Sequence, residues 1–318
     1  RDFCLSRGLG DVYKRQDIWA IPEGTVVFPN EPLITVKAPI IQAQLLETML
    51  LLTTNHQSLI ATKTSRIVKE AQGRPVMEFG ARRAHGINAA VEGARAAIIG
   101  GAVGTSCTLS AKEFNVPASG TMAHSWIQSF DSEYEAFKAY AELYPDDCTF
   151  LIDTYNTIES GLPNAIKVFN EVLKPKGYRP KAVRLDSGDL AYLSKKVRKI
   201  LDETGYEDCK ICATNSLDEY LIKSLIEQDA KIDLFGVGEN LITAKSEPVF
   251  GGVYKLVALE KDKKIVPKIK VSENTAKVTN PSVKKVYRFY DNETKKAIAD
   301  VITCLLYTSP SPRDRQKS

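Results

Sequence analysis

The sequence predicts an α/β protein: a parallel sheet or barrel preceded by a small N-terminal α+β subdomain. Three observations carry that prediction. From Pro75 onward, short apolar runs rich in β-branched residues alternate with helical stretches at the spacing of βα units. Before Pro75 the chain is instead a series of short β-branched runs punctuated by Pro and Gly. The polar residues that suit packing least fall at the ends of the apolar runs, the place where parallel α/β folds hold ligands.

Taken in order, Asp17 to about Pro75 is the N-terminal subdomain. IPEGTVVFPNEPLITVKAP reads as strands and turns, and Gln42–Leu52 and Leu59–Ala71 read as helices. PVMEFG is a strand, and Arg83–Gly100 an Ala-rich helix. Ser106 is placed to cap a helix running to about Phe114. VPASGT is a strand, and Met122–Tyr144 is helical with a break near Phe130. TFLIDTY, KAVRLD, CKICATN and KIDLFGVG are strands, separated by helices over Leu162–Leu173, Leu190–Thr204 and Asp218–Gln228. Residues 76–260 thus form the α/β domain. Gly251–Glu260 and Lys268–Lys277 read as strands and Lys284–Asp300 as a hairpin-like pair. Residues 261–303 form a β-rich segment expected to return toward the N-terminal subdomain.

The two ends have a different composition and no helix or strand period. Cys304–Ser318 resembles a translated sequencing-adapter read-through and Arg1–Gln16 looks similar, so both are expected to be non-native flanks. Arg1, Arg7, Lys14 and Arg15 stand against Asp2 and Asp11 in the first flank, and Arg313, Arg315 and Lys317 against Asp314 in the second. Each flank contributes +2, so removing both from the chain's +4 leaves a neutral body. The basic balance is therefore no argument for nucleic-acid or membrane binding. The apolar fraction, 43%, is that of a globular protein, no apolar run is long enough for a bilayer, and no signal-peptide pattern stands at the start. Cys107, Cys148, Cys209 and Cys212 remain in the body. Cys209 and Cys212 form a CxxC without a second pair, on a strand where residues three apart face opposite sides, so structural thiols in a reducing cytosol are expected rather than zinc.

The chain is organised around KAVRLDSGDL, Lys181 to Leu190. A strand ending in two carboxylates, a hydroxyl and a glycine is poorly suited to packing. Asp189 also has an ordinary reading, as the N-cap of the next helix. The same pattern recurs along the domain. Strand ends supply Glu78, Phe79 and Arg82; Thr121 and His124; Asp153, Thr154 and Tyr155; Arg184, Asp186 and Asp189; Asn215 and Ser216; and Gly236 and Gly238. In a closed parallel barrel all these ends share one face. Arg82 and Arg83, read as starting a helix, oppose its dipole unless a phosphate is bound. The glycines of FGVGEN offer backbone N–H groups to a monophosphate, and Gly251 and Gly252 are expected to close the same region. Asp153 and Asp186 are candidates for ribose hydroxyls, a metal ion, or both.

Together EFGARRAHG, ASGTMAHSW, IDTYNT, VRLDSGDL, ATNSLDEYLI, FGVGENL and GGVYKLV resemble the nicotinate phosphoribosyltransferase family from about Asp17 to Thr303. The resemblance implies an irregular parallel α/β barrel of the type II phosphoribosyltransferase kind, acting in the cytoplasm as a homodimer with a shared active site. It implies transfer from phosphoribosyl pyrophosphate to nicotinate in NAD biosynthesis, giving nicotinate mononucleotide and pyrophosphate. ATP hydrolysis is coupled through a phosphohistidine, and magnesium is required. By motif, His124 is the phosphorylated residue, Phe79 stacks on the base, and Arg82, with Arg83 beside it, binds the sugar substrate's phosphate. Arg184 contacts the nicotinate side, Asp153 and Asp186 serve ribose or magnesium, and Gly236 and Gly238 lie by the product phosphate. Thr121, Ser187, Asp189, Asn215 and Gly252 complete the candidate substrate contacts. The family's N-terminal aromatic residue, which completes the neighbouring subunit's base pocket, has no counterpart here, and the family's chain continues past Thr303, so an internal fragment is expected. Nicotinamide as the base, a phosphosugar-binding barrel enzyme, and an inactive truncated fragment are the competing readings.

Overall fold

The computed structural model describes residues 16–271, 273 and 278–304. The two expected flanks lie outside the described residues, save Gln16 and Cys304. Contacts divide the chain into two units: the described residues of Arg1–Thr53 and Gly252–Ser318 form one, and Thr54–Gly251 the other.

In the first unit, β1 (Asp17–Ala20) pairs antiparallel with β2 (Ile34–Lys37). A short helix, α1 (Ile40–Leu45), then leads into α2 (Glu47–Glu70), which crosses from one unit into the other. The sequence suggests two helices with a gap around Thr53–Ser58, but α2 runs straight through it. Thr and Asn there lower helix propensity by only a few tenths of a kcal/mol each, and nothing breaks the backbone. Packing of Ile60, Lys63, Thr64 and Ile67 outweighs that cost.

The second unit is the α/β domain. In chain order it holds β3 (Val76–Glu78), α3 (Ile87–Ile99), β4 (Gly104–Thr105), α4 (Thr108–Phe114), α5 (His124–Gln128), α6 (Glu133–Leu143), β5 (Thr149–Leu151) and α7 (Leu162–Val168). These are followed by β6 (Ala182–Leu185), α8 (Leu190–Glu203), β7 (Lys210–Ala213), α9 (Glu219–Glu227), β8 (Leu234–Val237) and α10 (Glu239–Ile242). Six parallel strands form one sheet in the order β4-β3-β8-β7-β6-β5. The first strand of the series, β3, pairs with the last, β8, so the sheet curls back on itself as a half-barrel. It stays open between β4 and β5. VPASGT, expected as a strand, contributes only one bridge there, Thr105 to Ala118. Pro117 has no N–H, and Gly120 and Ser119 are weak strand formers.

The core lies between the outer face of the sheet and its helices. Phe150 of β5 is sandwiched between Phe137 at 4.6 Å and Phe169 at 5.4 Å, both nearly parallel to it, and Tyr206 meets Phe169 edge-on at 5.1 Å. All three Phe side chains are fully buried, each stabilising the fold by about 1.5–3 kcal/mol. On β6, Val183 and Leu185 take the buried side while Arg184 does not, the period-two alternation that frees the other face for chemistry.

Two helix starts differ from the sequence reading. Arg82 and Arg83 sit in a 3-10 turn (Ala81–Arg83), and α3 begins only at Ile87, after Gly86 at φ 112. A residue at that φ ends helical geometry, so the arginines do not oppose the dipole of α3. The cap of α4 is Cys107 rather than Ser106, whose N–H is bonded to Glu78 instead. Asp189 does cap α8, accepting from Tyr192 N at 3.0 Å.

Back in the first unit, β9 (Ala258–Lys261) pairs with β10 (Lys264–Pro267), and β11 (Lys284–Tyr290) with β12 (Ala297–Cys304), both antiparallel. Gly251–Val257, expected within a strand, is irregular, as is the described part of Lys268–Lys277. The double glycine weakens the first stretch as a strand. Leu46 is the one buried apolar side chain of this unit among the described residues.

Candidate active site

Parallel register sets Leu151 beside Arg184 and Arg184 beside Cys212. Two residues further on, past the strand ends, Asp153, Asp186 and Thr214 therefore meet at one rim. Asp153 is the hub. Its side chain is only 2% exposed, and both oxygens are engaged. Oδ1 lies 3.2 Å from His124 Nε2. Oδ2 accepts from the Asp186 backbone N–H at 3.0 Å and from the Ser187 hydroxyl. His124 opens α5 and is 40% exposed, so its ring is held on one side and open on the other.

Arg184 and Asp186 form a second, linked group. Arg184 Nη2 lies 3.1 Å from Asp186 Oδ1, with side-chain exposures of 15% and 22%. Arg184 Nε donates to Thr214 Oγ1 at 3.0 Å, and Nη1 donates to Thr121 Oγ1 at 2.7 Å and to the Met122 carbonyl at 3.4 Å. The Thr214 hydroxyl in turn donates to Asp186 Oδ1. Arg184 Cζ sits 5.9 Å from the centre of the Phe79 ring, within range of a cation–π contact. Cys212 faces the same group from below, and its thiol is pushed up to about 12 by burial, with Arg184 opposing and Asp186 adding to the shift.

The ends of β3 and β8 are built from backbone instead. Phe79 N–H donates to the Val237 carbonyl at 2.8 Å. A Cβ on Gly236 would meet Phe79 Cδ2 at 2.6 Å and Thr214 Cγ2 at 2.7 Å, and one on Gly80 would meet the Gly238 carbonyl at 2.7 Å. These glycines let the two strand ends and the Phe79 ring close on each other. Arg82 is exposed and makes no hydrogen bond or ion pair among the described residues, while Arg83 Nε lies 3.8 Å from Glu239 Oε2.

Asp189, Asn215 and Ser216 take no part in the network's hydrogen bonds. Asp189 is occupied as a helix cap. Asn215 and Ser216 are exposed and left-handed, with φ 84 and φ 52. Gly252 belongs to the other unit, in the irregular stretch before β9.

Three residues that sequence reasoning did not single out, and Glu78, which it named only as a strand end, shape the rim. Thr214 joins Arg184 to Asp186. Asn240 donates to the Ser216 and Leu217 carbonyls at 2.9 and 3.1 Å, fixing the loop after β7. Fully buried Glu78 accepts from Gly80 N–H and from Thr105 Oγ1 at 2.6 Å, and Thr105 Oγ1 accepts from Cys107 N–H at 2.9 Å. Burial pushes the Glu78 carboxyl up against those two donors. Glu78 and Asn240 each stand where an apolar residue fits a strand end or short helix, which is the trace they leave in the sequence.

Residues 75–302 match the Nicotinate phosphoribosyltransferase (NAPRTase) family. The chain is 51% identical to a nicotinate phosphoribosyltransferase of Bacillus subtilis (strain 168) over 284 residues, 89% of this chain and 57% of that protein. It is 46% identical over 284 residues to one of Mycobacterium tuberculosis (strain CDC 1551 / Oshkosh), again 89% of this chain and 59% of the relative. The crystal structure of human nicotinic acid phosphoribosyltransferase superposes with a TM-score of 0.79 at 27% identity, covering 93% of this chain and 65% of that one. The nicotinate-nucleotide pyrophosphorylase structure from Pyrococcus furiosus gives 0.73 at 28%, covering 93% and 70%. This chain thus spans under three fifths of the length of these curated bacterial relatives.

Proposed function

From the premise that this chain belongs to the nicotinate phosphoribosyltransferase family, we propose that its protein joins nicotinate to phosphoribosyl pyrophosphate, releasing nicotinate mononucleotide and pyrophosphate. The observation that carries the reading is the linked Arg184–Thr214–Asp186 group beside Phe79. A planar guanidinium next to an aromatic ring suits a flat base bearing a carboxylate. That favours nicotinate over nicotinamide, whose amide is uncharged.

The chemistry follows from charge. As the bond from the anomeric carbon to pyrophosphate breaks, positive charge grows on the ribose, and the Asp186 carboxylate stabilises it. The nicotinate nitrogen supplies the electron pair for the new C–N bond, and the pyrophosphate oxygen leaves with the old one. Arg82 and Arg83, exposed beside the glycine ends of β3 and β8, take phosphate oxygens.

His124 is the proposed phosphoryl acceptor from ATP. With Nε2 held by Asp153, Nδ1 attacks the γ-phosphorus and ADP leaves. The reading includes action as a cytoplasmic homodimer with a shared active site, which the motif resemblance supports. Among the described residues no helix is long and apolar enough to cross a membrane.

The residues do not form a magnesium cage by themselves. Asp153 commits both oxygens to protein donors, and among the described residues no three His, Cys, Asp or Glu side chains gather as a metal cluster. Magnesium is proposed to arrive on the substrate's own phosphates, which supply most of its oxygen ligands.

A phosphoribosyl-transfer assay with nicotinate and nicotinamide, with and without ATP, tests the reading. The expected result is turnover with nicotinate that ATP stimulates, and loss of the ATP-stimulated part in His124→Ala. Unchanged ATP consumption in that variant rules out the role of His124, and preference for nicotinamide overturns the assignment of the base.

A further inference from the structure

We propose that Thr214 is a positioning residue for the transfer: its hydroxyl sets the spacing of Arg184 and Asp186, and its methyl group helps to seat the Phe79 ring. The inference rests on the phosphoribosyl-transfer reading for its effect on turnover, but the geometry stands independently of it. Thr214 is 3% exposed. Its hydroxyl accepts from Arg184 Nε at 3.0 Å and donates to Asp186 Oδ1. A hydroxyl can do both at once, because it carries one donor and two acceptor sites. The direct contact between the charges, 3.1 Å from Nη2 to the same Oδ1, therefore lies in a closed ring with Thr214 as the third member.

The methyl group has a separate task. Thr214 Cγ2 and Phe79 Cδ2 flank the bare backbone of Gly236, at 2.7 and 2.6 Å from where a Cβ would stand. Thr214 lies just past β7, Gly236 is on β8 and Phe79 lies just past β3, so the three belong to adjacent strands of the sheet. One β-branched residue thus bonds the charged group through its hydroxyl and lines, with the Phe79 ring, the space over Gly236 through its methyl.

Two variants separate the tasks. Thr214→Val keeps the branched shape and removes the hydroxyl. It is expected to lower kcat and raise the KM for nicotinate, each by about 10-fold or more, as befits loss of a hydrogen bond to a charged group. Thr214→Ser keeps the hydroxyl and removes the methyl, and is expected to hold kcat within about threefold while raising the KM for nicotinate by a similar factor. The KM for phosphoribosyl pyrophosphate should move little in Thr214→Ser. A third readout does not depend on turnover: the 15N-resolved Arg184 Nε–H resonance should exchange slowly with water in the wild type and in Thr214→Ser, and rapidly in Thr214→Val.

Unchanged kcat and KM in Thr214→Val overturn the proposal, as does an Nε–H that stays protected there. If Thr214→Val does not fold, Thr214→Ser still decides, since a large loss of kcat or of Nε–H protection in it contradicts the proposed division of labour. A wild type that protects the Arg184 Nε–H but transfers no phosphoribosyl group defeats the functional reading and leaves the clamp standing.

Discussion

Charged residues stand just before β5, β6, β7 and β8 and just after β5 and β6, and the two ends behave differently. At the amino ends, Asp147 pairs with Lys181, Asp208 with Arg179 and Asp233 with Lys210, the side chains ranging from 37% to 65% exposed. Each is a separate pair in high dielectric, contributing about 0–1 kcal/mol. At the carboxyl ends the same residue types are mostly buried and share partners: Asp153 with His124 and Ser187, Asp186 with Arg184 and Thr214. Residue type does not distinguish a solvated face from a site here; burial and shared hydrogen bonds do.

The largest expected effect comes from breaking the carboxyl-end group. Arg184→Ala leaves the Asp186 carboxylate partly buried without its cation and removes the contact proposed for the base. Turnover should fall at least about 100-fold and stability by about 3 kcal/mol, read by the transfer assay and by urea unfolding. A variant that loses neither places Arg184 with the amino-end pairs.

Next comes Gly236→Ala, which tests the backbone-built side of the same rim. The added methyl collides with Phe79 and Thr214 and should cost about 1–3 kcal/mol as overpacking. The KM for nicotinate should rise with the displaced ring, while thermal unfolding reports the strain.

The thiols sharpen the comparison through pH. Cys148 and Cys209 stand at amino ends and Cys212 under Arg184, yet all three are pushed up to about 12 from 9.0, in each case chiefly by burial. Burial outweighs the cation at Cys212. Below pH 9 the folded and unfolded chains both hold these protons. Above it the unfolded chain releases them and the folded chain does not, so stability falls as pH rises toward 12, by up to about 1.4 kcal/mol per pH unit per thiol. The urea midpoint should drop between pH 8 and pH 10; a flat or rising midpoint contradicts the burial argument.

The smallest effect is expected at Lys181→Ala. Removing half of an exposed amino-end pair should change stability by less than about 0.5 kcal/mol and leave turnover alone.

Much of this was legible in the sequence, for a physical reason. Strand side chains alternate, so Arg184 and Asp186, two apart at the end of an apolar run, had to share a face. Asp153 and His124 stood out as polar groups at or beyond the ends of apolar runs. The failures have equally specific causes. Gly86 breaks the backbone just after Arg82 and Arg83, and their local turn is a tertiary outcome that helix propensity does not register. β4 is only two residues long, too short for any period to show. Thr214 left no trace because Thr is a favoured strand residue, and its importance arises only from what β6 and β8 place beside it.

The central claim is that these strand ends meet around a nucleotide. A crystal structure of this protein with nicotinate mononucleotide tests it most directly. The account predicts the pyridine ring against Phe79 with its carboxylate toward Arg184, and the ribose beside Asp186. A nucleotide bound away from all three residues would contradict it.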